Sequence, residues 1–222
     1  MKSRGKIKWI SLAFGAGVVV ICTFFPVGCT VFGVRTVEEA SYKVLNDYGQ
    51  IELREYDELL TIETSVDADY KKAGEVAFRR LFAYINGEND SKTKIAMTSP
   101  VIANEGNSGD GERIAMTTPI FRERQNKGWR YLFVLPASYT LDSAPAPLNS
   151  EIKLSVMPKK QVAVIRYTGK WSEEAMRKKS DELAVWIQEN NLESVSMPLW
   201  AGYDPPWTIP FLRRNEVMID VK

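Results

Sequence analysis

The sequence predicts an α+β fold made of two similar halves, each a pair of antiparallel strands followed by a long helix. Three observations predict it. Short runs alternate apolar and polar residues at period two, and longer runs carry apolar residues every three or four positions. The second such set also follows the first at an offset of 102 residues, the distance from Leu60 to Val162. A length of 222 residues, 45% hydrophobic and 26% charged, suits one globular domain plus whatever precedes it.

The first element is a leader. Lys2, Arg4, Lys6 and Lys8 fall in the first eight residues with no acid among them, and the stretch from Trp9 to Val34 carries no charge. That stretch is long enough to cross a bilayer as an uncleaved signal anchor, at 1.5 Å per residue. Pro26-Val27-Gly28-Cys29 also resembles a bacterial lipoprotein signal, in which a small residue precedes the cysteine that is cut and acylated. Simple secretion is the third reading. The expected organisation is a signal peptide or signal anchor over 1–28, a linker over 29–46 and a folded domain over 47–222. The domain is expected to be exported and held at the bacterial cell envelope, through lipid on Cys29 or a single N-terminal transmembrane helix. Without the four leader cations the balance is 25 basic against 28 acidic residues, a net charge of about −3 that does not favour nucleic acid.

Composition narrows the chemistry. Cys22 and Cys29 are the two cysteines, both in the leader, and the chain has no histidine. The domain therefore has no disulfide, no thiol nucleophile and no Cys- or His-based metal site. Ser/His/Asp and Cys/His catalysis are excluded. Adjacent acids such as Glu173-Glu174 or Asp57-Glu58 do not converge on one point, so no acid/base pair is legible and the chain reads as a non-enzyme with no catalytic residue.

The domain elements follow in order. Thr36 to Tyr48 reads as a polar approach ending in the turn Asp47-Tyr48-Gly49, and Ile51–Tyr56 and Leu59–Val66 alternate as two antiparallel strands. From Asp69 a helix carries Tyr70, Gly74, Ala77, Phe78, Leu81 and Ile85 on one stripe, and Asn86-Gly87 stops it. Tyr131 to Leu135 adds a strand. In the second half Ile152–Met157 and Val162–Tyr167 read as strands about Pro158-Lys159-Lys160. Ser172 opens a helix with Met176, Leu183, Trp186 and Ile187, and strands over Pro198–Tyr203 and Glu216–Val221 complete the plan.

KIAMTSPV at 94–101 returns as RIAMTTPI at 113–120. Ile95 with Met97, and Ile114 with Met116, alternate as on one face of a strand, while Pro100 and Pro119 mark strand ends or edges. The pair is expected to form a hairpin around a Gly-rich loop. Methionine is soft and polarizable, so the doubled Met suits either an adaptable core or the wall of a site for a flat apolar ligand.

These residues carry a family resemblance. KIAMTSPV and RIAMTTPIF, then FVLPASYTLDSAPAP, VAVIRYTGKWSEE and AGYDPPWTIPFLRRNEVMIDV, resemble in sequence and order the SOUL/haem-binding protein family, over roughly residues 40–222. The resemblance implies a distorted β-barrel of two pseudo-symmetric halves, each with a long helix packed on antiparallel strands. It implies haem or another tetrapyrrole as ligand, in an apolar groove beside the first helix. The expected site is Phe78, Phe82, Met97 and Met116 as walls, with Arg79 meeting a propionate. Without histidine, an iron there is left to Met, Tyr or water. The alternative expectation is a membrane-tethered protein-interaction or effector-sensing module that binds no haem, suggested by the leader and by aromatic segments such as Trp200–Trp207.

Overall fold

The computed structural model describes residues 37–90 and 111–222. Strands β1 (Tyr42–Asp47), β2 (Ile51–Tyr56) and β3 (Leu59–Val66) lead into helix α1 (Tyr70–Ile85). After β4 (Asn89–Asp90) come β5 (Ile120–Arg124), β6 (Trp129–Val134), β7 (Ala146–Pro147), β8 (Lys153–Met157) and β9 (Lys160–Tyr167). Helix α2 (Glu173–Glu189), β10 (Leu199–Gly202), a 3-10 turn at Pro210–Leu212 and β11 (Asn215–Asp220) finish the fold.

Nine strands form one curled antiparallel sheet in the order β1-β2-β9-β11-β10-β5-β6-β3-β8, and β4 and β7 pair separately. β1 and β8 are its edges, so among the described residues the sheet is a curled half-barrel, the coarse form of the distorted barrel expected. Alternation along the strands divides the core in two. On one face Ile62, Tyr131, Phe133, Ile165, Val217 and Ile219 meet Ala77, Leu81, Met176, Leu183 and Ile187 of the two helices. On the other, Tyr56, Phe121, Leu132, Val164, Tyr203 and Met218 form a cluster without a helix residue.

Local chemistry explains the element ends. Asp69 lies outside α1, and its carboxylate accepts from the Lys71 and Lys72 backbone N–H groups at 3.0 Å, satisfying two donors the helix cannot pair itself. Gly87, at φ +107°, takes the chain out of the helix in a conformation that disfavours a Cβ. Ser172 caps α2 by accepting from Ala175 N at 3.2 Å, and Glu173 and Glu174 complement the helix dipole.

Two expectations are corrected. The polar approach contains β1, so sheet pairing begins inside the stretch read as linker 29–46; an edge strand needs few apolar residues because much of it faces water. Residues 113–119, where a hairpin strand is expected, form no regular strand among the described residues. Thr118 makes one parallel bridge to Glu39, and regular pairing starts at Ile120, after Pro119, which has no N–H to give a ladder. The first octapeptide lies outside the described residues. No helix among the described residues is long and apolar enough to cross a membrane.

Candidate functional site

Helix α1 builds the site by the residues it leaves outside. Ala73, Ala77, Leu81 and Tyr84 are buried against the sheet, and their small side chains at 73 and 77 let the helix sit close to it. The adjoining face presents Glu75, Phe78, Arg79 and Phe82. Phe78 and Phe82, one turn apart, stack with ring centroids 5.4 Å apart and planes at 15°, and Phe78 also meets the buried Phe133 edge-on at 5.7 Å. Both rings stay open to solvent, at 43% and 42% exposure.

The cations beside this pair divide. Arg80 turns to the sheet, donating to Thr64 Oγ1 at 3.2 Å and to Glu151 Oε2 at 3.3 Å. Arg79 is exposed and makes no hydrogen bond or ion pair among the described residues. Met116 is half-buried and packs on the main core. Its segment is tied to the end of α1 by Ile114 N–H donating to Ile85 O at 2.8 Å, and by Asn89, which bonds both Tyr84 O and Glu112. The structure thus brings Phe78, Arg79 and Phe82 onto one helix face and seats Met116 against the core. Met97 and Cys29 lie outside the described residues.

A hollow of about 380 Å³ lies elsewhere, between residues 38–41, 57–60 and 134–141. Glu38, Glu39, Asp57 and Glu58 line it, and they would repel a ligand bearing carboxylates. The α1 face, with a cation and aromatic surface, suits such a ligand better.

Two buried charged clusters lie outside the expected site residues. On the face of the sheet away from the helices, Arg54 grips Glu216 with both terminal nitrogens at 2.8 and 3.0 Å and Glu52 with Nε at 2.6 Å. Arg214 reaches Glu216 at 2.8 Å and Glu39 at 3.0 Å, and the Tyr203 hydroxyl donates to Glu216 at 2.8 Å. The two guanidiniums also lie over Tyr42 and Tyr203, at 4.1 and 3.9 Å. Every charge is answered, so the cluster ties β2, β11 and the residues before β1 together and offers a ligand nothing unpaired. The signal was present: Arg54 shares a strand face with Tyr56, and Arg214 and Glu216 share another.

Burial pushes the Glu216 carboxyl up, but the hydrogen bonds and charges of Arg54 and Arg214 outweigh it and hold the group below the ordinary carboxylate range. Burial likewise leads in pushing the Tyr56 phenol up to about 12, so it stays a neutral partner. A depressed folded pKa gives stability that is fully present above the unfolded value, about 4.3, and is lost as pH falls through the folded one. The melting temperature of the wild type therefore drops on acidification from about pH 5 downward. A Glu216→Gln variant, compared by scanning calorimetry over that range, shows a flatter profile from a lower starting point.

The second cluster lies on the helix face. Arg122 is buried with its guanidinium 3.5 Å from the Trp171 ring centre, near the Tyr70 and Tyr131 rings, and donates to the Tyr70 hydroxyl. Its Nε finds no acceptor among the described residues. Aromatic faces answer this charge in place of a carboxylate. Trp171 in turn lies flat on Gly202, where a Cβ would fall 1.4 Å from the ring, so the packing is closed.

Comparisons with known proteins bear on the family and the fold. A family model described as SOUL heme-binding protein matches residues 37–220. Heme-binding protein 2 of Homo sapiens is 34% identical over 74 residues, which span 31% of this chain and 36% of that protein. In structure, the EcmrR C-terminal domain resembles the chain at TM-score 0.50 and 13% identity, covering 79% of this chain and 99% of that one. A hydrolase from Listeria innocua resembles it at TM-score 0.50 and 14% identity, over 78% and 92%. At these identities the structural likenesses show the fold alone.

Proposed function

The chain belongs to the SOUL haem-binding protein family, and from that premise we propose that it binds haem, or a related tetrapyrrole or planar apolar ligand, without catalysing a reaction. The carrying observation is the solvent-open stack of Phe78 and Phe82 beside the exposed Arg79, which has no partner among the described residues. Two rings held together in water make a platform for a flat apolar face, and a guanidinium is suited to a propionate. Met97 and Met116 are the proposed flanking walls, Met116 from a segment fastened to the end of α1. Bound haem would supply an iron centre, and with no histidine in the chain its ligation would be left to Met, Tyr or water.

Binding rather than catalysis is supported by the same inventory, with no histidine and no cysteine beyond residue 29. We place the binding domain at the bacterial cell envelope, tethered by the leader through acylated Cys29 or an N-terminal helix; the uncharged run from Trp9 to Val34 supports this. The test is titration of the purified full chain with haemin while following Soret absorbance. A saturable shift at micromolar protein is expected, and its absence overturns the proposal.

A further inference from the structure

We propose that the loop between β10 and β11 is a bilayer-contacting surface that lays Trp207, Phe211 and Leu212 into the lipid interface. This rests on the tethered-domain part of the proposed function and adds which side of the domain faces the membrane.

The loop exposes large apolar side chains and holds them there. Phe211 is 70% exposed, Trp207 61% and Leu212 38%. A flexible loop would fold such residues inward, but this one is stiffened throughout. Thr208 N–H donates to Pro205 O at 3.1 Å, Leu212 N–H to Ile209 O at 2.9 Å, and Gly169 N–H to Pro210 O at 2.9 Å. Arg213 bonds the Thr208 carbonyl at 2.7 Å and the Pro206 carbonyl, spending its donors on the loop itself. Pro205, Pro206 and Pro210 remove further freedom. The result is a rigid apolar tip.

The place where the leader joins the domain argues for lipid as the occupant. Glu39, two residues after the first described residue, pairs with Arg214 at 3.0 Å. The Arg214 backbone N–H, at the foot of the same loop, donates to Asp204 at 2.6 Å. The first described residues therefore pass beside the foot of this loop, and the uncharged run of the sequence ends at Val34, three positions before Val37. A membrane-held leader of either kind brings the loop close to the bilayer. Trp is suited to the headgroup region, with Phe and Leu below it. Lys170, exposed and adjacent to the Gly169 that bonds Pro210, supplies a cation for anionic headgroups. A lipid anchor on one cysteine gains hold from such a second contact.

The test uses the full chain reconstituted in vesicles of phosphatidylcholine and phosphatidylglycerol, with and without brominated acyl chains. Flotation is measured first, then tryptophan quenching for wild type, Trp207→Phe and Phe211→Asp. The chain is expected to float, and brominated lipid to quench wild type more than Trp207→Phe, the difference being the Trp207 component. Phe211→Asp should reduce that component at an unchanged melting temperature. A chain that does not float overturns the tether and this inference together. A chain that floats with equal quenching in wild type and Trp207→Phe overturns the inference alone. Shielding of Trp207 from acrylamide that follows protein concentration rather than lipid assigns the tip to a second copy and also overturns it.

Discussion

A Phe78→Ala/Phe82→Ala double variant binds haemin about a hundredfold more weakly than wild type. Each ring is a little over half covered by the protein, so a ligand laid across the pair removes the remaining apolar surface from water, worth about 1 kcal/mol per ring. Stacking against an aromatic macrocycle adds roughly 0.5–1.5 kcal/mol. The total of about 3 kcal/mol corresponds to two orders of magnitude in Kd. The loss of stability is modest, because Ala73, Ala77, Leu81 and Tyr84, not the two phenylalanines, hold α1 to the sheet. Arg79→Glu, which leaves every ring in place, separates the roles: it should weaken binding of haemin more than binding of an esterified porphyrin without free propionates. Both affinities come from Soret titration.

Arg54→Met costs about 3–5 kcal/mol of unfolding free energy, the range for removing one partner of a buried ion pair. The side chains of Arg54 and Glu216 are essentially inaccessible to water, and the arginine donates to Glu216 twice. Without it, Glu216 keeps Arg214 and Tyr203 as its partners among the described residues, and Glu52 loses its contact with Arg54. Pairing Arg54→Met with Glu216→Leu should cost less than the sum of the single changes, because the fully buried Arg54–Glu216 pair is then removed whole and neither member is left facing an empty partner. Urea unfolding midpoints for the four proteins close the cycle.

Much of this fold was legible where pattern and local chemistry agree. Ile51–Tyr56 and Leu59–Val66 are strands with the bounds their sequence pattern predicts, and the helix beginning after Asp69 announces both its cap and its Asn86-Gly87 end. What stayed hidden depends on tertiary pairing. β1 is an edge strand with polar residues, so period two is blurred. Across RIAMTTPI the backbone bonds seen among the described residues go to Ile85 and Glu38, distant in sequence, which period two does not announce. The buried partners of Arg54 and Arg214 include residues distant in sequence: Glu216 lies 162 positions from Arg54, and Glu39 lies 175 from Arg214. Of the site residues, Phe78, Arg79 and Phe82 share a helix face, as spacing within one helix dictates. The buried stripe of α1 follows from periodicity, whereas the openness of the phenylalanine stack comes from how the helix settles on β3 and β6.

The central claim is that an exposed aromatic pair on α1 receives a flat ligand. Its most direct measurement is the nuclear magnetic resonance spectrum of the full chain, with Phe-selective labelling, during titration with diamagnetic gallium protoporphyrin. The Phe78 and Phe82 ring resonances, assigned by substitution, should move upfield together and level off at one equivalent, as rings beneath a macrocycle do. If these two signals stay fixed while others shift, the ligand sits elsewhere and the claim fails.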